Sequence, residues 1–431
     1  MLLIYTHKIT KRFTYVMKQV FVRILGIEVT FTTKVEDFIK HTGPKITYTK
    51  QPLQNEFFVR SNDLLFEQGI NDIEIKLGEW NGVPCFFDAG ERSNVPFDIF
   101  SAAFYLLSRY EEYLPHVKDD LGRFPAKKSL GFEKGFLECP LVDQWAYLLL
   151  DGLKQRFPDL EQASKTYSFT PIINVTTSHC YALKGFSRSI AGFFLDLSRL
   201  RLSRLVKRIT VWFNPKKDPY DNFDFLLGLH KKFKVKAMFF FQFAAYSAHD
   251  KNISIYRNKF RHLIKSVSDY SKVALSASLA SVRDISILVK ERKRLSDLIN
   301  RPVQHVRLRY NRVAIPQTYR NLIEAEFTDD YTMGYTHHLG FRAGTCTPFY
   351  FYDLTLEAQQ PLRIHPFVLC DYALRNFKNQ QEVFQKLDLL YQQVKQVNGT
   401  FTLVFSNELL GGNHKINWLE LYGATLKRYY V

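Results

Sequence analysis

From about residue 165 onward, short apolar runs rich in β-branched and aromatic residues alternate with stretches of helical periodicity. That is the pattern of a mainly parallel sheet built from β-α units. Seven runs predict seven strands, at residues 169–175, 235–241, 272–275, 304–310, 331–334, 362–370 and 400–405. The clearest helix lies before the last of them, where Val383, Leu387, Leu390, Val394 and Val397 recur at spacings of four and three and Asn398-Gly399 supplies a stop. Another helix is predicted to open at Asp218-Pro219, an N-cap followed by the residue best suited to the first helical position. Seven strands with helices between them predict an α/β fold, a seven-stranded (β/α) barrel.

Residues 1–160 lack this regularity and predict a smaller α+β domain, with the boundary in the polar stretch 158–165 ahead of the barrel region 165–431. Within the N-terminal part, Phe100, Phe104 and Leu107 place an apolar face on a helix over 97–113 that Pro115 ends. Arg109, Glu111 and Glu112 at its end read as a solvated face or a salt bridge, with Glu111 in line with the apolar side. An insert at 187–217, between the first two strands, carries Leu202, Leu205, Ile209 and Trp212 on one helical stripe and Arg201, Arg204 and Arg208 on another. The stripe is expected to pack on the parent domain; contact with an anionic membrane is the alternative for such a basic amphipathic helix.

Composition narrows the classes further. With 46% hydrophobic residues the chain can bury a large core. The five cysteines, Cys85, Cys139, Cys180, Cys346 and Cys370, are scattered and never form a Cys-x-x-Cys pair, which argues against a disulfide framework or a zinc knuckle. Charged residues interrupt the first fifteen positions and no apolar run reaches ~18 residues, so a cytoplasmic location is expected. The net charge of +17 favours anionic partners, but the basic residues are spread along the chain without a nucleic-acid-recognition signature, and nucleic acid is not expected.

In β/α barrels functional groups gather at the C-terminal ends of the strands. The candidates are therefore Asn174 and Thr176 after the first strand, Ser276 after the third, Arg342 after the fifth, His365 within the sixth, and Ser406, Asn407 and Glu408 after the seventh.

The run from Leu339 to Cys346, containing Phe341-Arg342-Ala343-Gly344, resembles the arginine-bearing motif of polysaccharide deacetylases, the carbohydrate esterases of family four with the NodB-homology fold. The resemblance extends to Pro361–Asp371 with its His365-Pro366 and to Asn398–Glu408, and so covers roughly Lys165 to the C-terminus. Phe97-Asp98-Ile99-Phe100-Ser101 and Tyr110-Glu111-Glu112-Tyr113 look like the uncharacterised domain that precedes the barrel in some bacterial members. In that family two aspartates end the first strand as base and metal ligand, histidines after the third complete the metal site, and a histidine after the last protonates the leaving amine. Here the matching positions carry Asn174, Thr176, Ser276 and Ser406, neutral groups that make poor zinc ligands. Arg342 matches the arginine that orients the base, with no carboxylate at Asn174 to orient; a structural arginine is the equal alternative. His365 reads as a pocket or core residue, and His179, His337 and His338 lack a carboxylate for a substitute metal site.

The resemblance thus implies a deacetylase-like protein without its hydrolytic machinery, with no cofactor expected, that binds a glycan or a protein partner in surface-polysaccharide metabolism. An active N-deacetylase working through substituted residues and a basic peripheral membrane module are the alternatives.

Overall fold

The computed structural model describes residues 1–247, 250–412 and 416–430. In the N-terminal part β1 (Leu2–Tyr5), β2 (Val29–Thr32), β3 (Lys45–Thr49) and β4 (Phe57–Arg60) form a sheet of order β2-β1-β3-β4 in which every pair is parallel. This corrects the α+β expectation for the N-terminal part. The helix Lys11–Met17, continued by the π-helical segment Lys18–Leu25, carries the chain from β1 to β2, and such a crossover returns the second strand parallel to the first. The antiparallel pair here is the hairpin β5 (Leu77–Trp80) and β6 (Val83–Phe86), turned by Asn81-Gly82, both with positive φ as a two-residue hairpin turn requires.

The second sheet contains β7 (Ser168–Val175), β8 (Met238–Phe241), β9 (Lys272–Ala277), β10 (His305–Leu308), β11 (Asp329–Asp330), β12 (Phe349–Asp353), β13 (Ala358–Ile364), β14 (Leu369–Cys370) and β15 (Thr400–Ser406). Their order is β12-β13-β11-β10-β9-β8-β7-β15-β14, parallel throughout except for the β12–β13 hairpin. The α/β, mainly parallel character is as the pattern predicts, but nine strands stand in an open hydrogen-bonding order rather than seven in a closed one.

Three local causes account for the difference. The predicted strand 362–370 divides because Pro366 cannot donate to a ladder; β13 pairs with β11 on one side of it and β14 with β15 on the other. One stretch of chain therefore supplies strands near both ends of the sheet. The strand expected at 331–334 sits earlier, on Asp329 and Asp330, where Arg363 bonds Asp329 across the ladder and Asp330 accepts from the Thr332 backbone to turn the chain. The aromatic segment 349–353 adds the hairpin strand that the sequence reading omitted.

Helix boundaries differ too. The helix expected from Asp218-Pro219 runs Phe223–Phe233, because Asp218 instead accepts the backbone N–H groups of Cys180, Tyr181 and Ala182. Residues 97–113 hold a helix Ile99–Leu107 capped by Asp98 and buried at every position. It ends where Arg109 takes φ 55°, well before Pro115. The long C-terminal helix is Gln380–Gln396, with Val383, Leu387, Leu390 and Val394 buried as its periodicity predicts.

The insert forms a hairpin of helices, Phe186–Ser198 and Leu202–Phe213, tied by the buried Arg208–Asp196 ion pair at 2.7 Å and by Phe193 stacked on Trp212. The predicted packing of its stripe is not what the structure shows. Leu205 and Val211 are buried, whereas Leu202, Ile209 and Trp212 face outward.

One contiguous apolar core runs from Leu2 to Tyr429 and joins the N-terminal part to one face of the large sheet. On the other face lies a smaller cluster of Ile172, Met238, Phe240, Ala274, Tyr331, Phe367, Cys370 and Val404. No helix of the described residues is long and apolar enough to cross a membrane.

Candidate functional site

Successive residues of a strand point to opposite faces, so register decides which side chains share a face. Asn174 on β7 pairs with Ser406 on β15 and with Phe240 on β8, Phe240 pairs with Ala274 on β9, and Ser276, two residues on, pairs with Arg307 on β10. Asn174, Ser276 and Ser406 therefore lie on the face that carries the smaller apolar cluster, at the C-terminal end of their strands, with Thr176 just beyond β7. The structure brings Asn174, Thr176, Ser276 and Ser406 to one mouth.

What fills those positions is a network of neutral groups already in use. The Ser406 hydroxyl donates to Asp371 at 2.7 Å, its backbone N–H donates to the same oxygen at 2.6 Å, and its oxygen caps the short helix Asn407–Gly411 by accepting from Leu409. The Thr176 hydroxyl donates to Glu408. Asn407 donates to the carbonyls of Thr177 and Tyr220. Ser276 is buried beside Arg307. The Asn174, Gln242 and Asn407 side-chain oxygens are buried with no partner.

Several charged groups of the mouth escaped the sequence reading. Arg307 is buried, donates to the Tyr331 carbonyl and to Asn311, and lies over the Phe367 ring at 4.5 Å, with no ion pair among the described residues. Burial holds its pKa below the usual guanidinium value. Asp371 is pushed up by burial, an effect the Ser406 hydrogen bonds only partly offset. Asp250 accepts from Gln242 and from the Leu279 backbone, and Glu291 accepts from the Ser278 backbone. Burial, aided by the Asp250 charge, raises Glu291 to about 7. The strand alternation that puts Arg307 opposite Ser276 was the available signal; Asp250 and Asp371 depend on turns of the chain, and Glu291 on how the helix Ile285–Ile299 packs, none of which the sequence specifies.

The remaining candidates lie apart. Arg342 is buried and grips Glu112 through two bonds of 2.9 and 2.6 Å, while Arg109 bonds Glu112 and the Arg342 carbonyl. Burial raises the Glu112 pKa, and the Arg342 and Arg109 guanidiniums more than reverse this, leaving it below the usual carboxylate value. Arg342 thus anchors the N-terminal part to the sheet and borders a cavity of about 200 Å³ with His337 and His338. His365 bonds Asp329 at 2.7 Å and stacks on Tyr331. It borders a cavity of about 710 Å³ among Ser168, Lys272 and Thr400, the first residues of β7, β9 and β15, at the opposite end of the sheet from the mouth. His179 bonds Ser178 and lies 3.6 Å from Asp221. Among the described residues no three His, Cys, Asp or Glu side chains are placed to share a metal ion, and the mouth's amide and hydroxyl donors do not fit the divalent ion that the resemblance implies.

The model of a family of unknown function, DUF7033, matches residues 2–158. No curated protein sequence matches the chain. Among solved structures, the chain is similar to a protein described as a polysaccharide deacetylase from Mycobacterium smegmatis, at 14% identity and TM-score 0.41 over 62% of this chain and 84% of that one. A second, described in the same terms, from Pseudomonas aeruginosa PAO1, gives 12% identity and TM-score 0.38 over 61% and 83%. A pseudoenzyme of the CE4 family from Bacillus anthracis gives 11% and 0.29, with 61% of each chain covered. Likenesses this distant leave the chemistry to the residues of the mouth.

Proposed function

We propose that this protein is a deacetylase-like carbohydrate-binding protein whose mouth holds a glycan without hydrolysing it. The observation that carries the reading is the set of buried, unpartnered acceptors at the mouth, Asn174, Gln242 and Asn407. A buried acceptor left without a donor is costly, and a polyhydroxylated ligand supplies donors in quantity. The hydroxyls of Thr176 and Ser406, by contrast, are committed to Glu408 and Asp371. The positions where the resemblance implies the base and the acid hold Asn174, Ser276 and Ser406, which do not take up a proton near neutral pH, and the carboxyl groups nearby are engaged, Asp371 by Ser406, Glu408 by Thr176, Asp250 by Gln242 and Glu291 by the Ser278 backbone.

The test is calorimetric titration of the full chain with the pentamer of N-acetylglucosamine, run beside an acetate assay. Saturable binding is expected, weakened about tenfold in Asn174→Ala/Gln242→Ala by the loss of acceptors worth roughly 1.4 kcal/mol together. Acetate release should equal that of boiled protein. Absence of binding would defeat the reading. Acetate release that disappears in Glu408→Gln would replace it with the hydrolase alternative.

A further inference from the structure

We propose that the helical hairpin of residues 186–217 docks in the surface plane of a bilayer that contains anionic lipid. The inference does not rest on what the mouth binds. Ten of the 25 exposed large hydrophobic residues of the described chain fall in these 32 positions: Phe186, Phe194, Leu195, Leu197, Leu200, Leu202, Val206, Ile209, Trp212 and Phe213. Phe186 and Phe213 are 83% and 88% exposed, at a level single surface hydrophobics rarely reach together. The same stretch holds eight Lys or Arg and one acid, a net of +7 out of the chain's +17. That one acid, Asp196, is buried and spent on Arg208, so the outward face carries Arg199, Arg204, Lys216 and Lys217 with no counter-charge from the hairpin.

Charge decides the occupant. A second copy laid face to face would set +7 against +7, whereas an anionic headgroup layer neutralises the basic residues while the acyl boundary accepts the aromatic and aliphatic ones. Helices of 13 and 12 residues are too short to span and fit an in-plane position. The base is firm: Asp218 accepts the N–H groups of three successive residues, Cys180, Tyr181 and Ala182, at 2.7–2.8 Å, and the Arg208–Asp196 pair locks the two helices together. The apolar crest is thus presented by a fixed scaffold beside the mouth, since the segment leaves the sheet directly after β7.

Flotation of the full chain with vesicles of phosphatidylcholine alone, or of phosphatidylcholine with phosphatidylglycerol, tests the proposal at low and high salt. Binding is expected to the anionic vesicles, released by salt, with a blue shift in the emission of Trp212, the most exposed of the four tryptophans. Replacing the exposed Arg199, Arg204, Lys216 and Lys217 by Gln should lower partitioning by at least ~tenfold, each basic residue contributing several-fold. Phe194→Ser/Leu202→Ser/Val206→Ser should lose both flotation and the shift. These positions are exposed, so unchanged circular dichroism and melting temperature are expected in both variants. Failure of the parent to float with anionic vesicles overturns the proposal. So do lipid-free dimers that the serine variant abolishes, and so does equal flotation of parent and both variants.

Discussion

Glu291 is the residue whose environment makes the sharpest prediction. The residue is 2% exposed, and its carboxyl is raised by burial, then by Asp250, to about 7 from an ordinary 4.5. The folded-state pKa stands above the unfolded one, so the fold accepts the neutral acid and resists the charged one. Its contribution is fully present below 4.5, falls as pH rises through the window up to about 7, and is level above. Glu291→Gln keeps an acceptor for the Ser278 N–H and removes the ionisation. The variant should melt higher than the parent at pH about 8, by an amount on the order of 2–4 kcal/mol, and show little pH dependence across that window. Calorimetry at the two ends of the window measures it, and a variant that melts lower at the upper end would refute it. The sequence made Asn174, Thr176, Ser276 and Ser406 legible as one mouth because strand ends can be found from apolar runs. It could not show that Ser406 would be engaged by Asp371, because that contact depends on where the chain goes after Pro366.

The elements that were legible are those whose own residues decide them. Gln380–Gln396 is buried along one stripe and capped by Asn379, and both features are local. β7 and β15 are apolar runs covered on both faces. β11 was misplaced because two aspartates are poor strand formers on any propensity scale, and only the cross-strand Arg363 makes them one. The helical hairpin shows the same limit: its stripe was visible, while which side of it would be covered depended on how the base is fixed. Asp218 is the fixing group. Asp218→Ala leaves four backbone N–H groups, those of Cys180, Tyr181, Ala182 and Tyr220, without their acceptor and should lower stability by about 2–3 kcal/mol. It should also speed tryptic cleavage at Lys184, just before the first helix, roughly tenfold or more through local opening. Cleavage at the parental rate, followed by mass spectrometry of the fragments, would contradict this account of the anchor.

At the scale of the molecule, the polar stretch 158–165 lies between the four-stranded sheet and the nine-stranded one. It does not mark a gap in packing, since one core crosses it and Arg342 holds Glu112 from 230 residues away. No sequence reading pairs two charges at that separation. The two parts are accordingly expected to unfold in a single calorimetric transition. Arg342→Met, which removes two bonds to the buried Glu112 and leaves Arg109 as its charged partner, should shift that transition as a whole at a cost of about 3 kcal/mol. Two separable transitions, with the substitution moving only one, would show the parts to be independent. The chain between β13 and β14 has a consequence of another kind. Because this stretch joins the two sides of the large sheet covalently, its length acts as a gauge. A residue inserted in a surface loop adds slack, but one inserted between Ile364 and Leu369 would change the girth of the sheet itself and, with it, the width of the mouth.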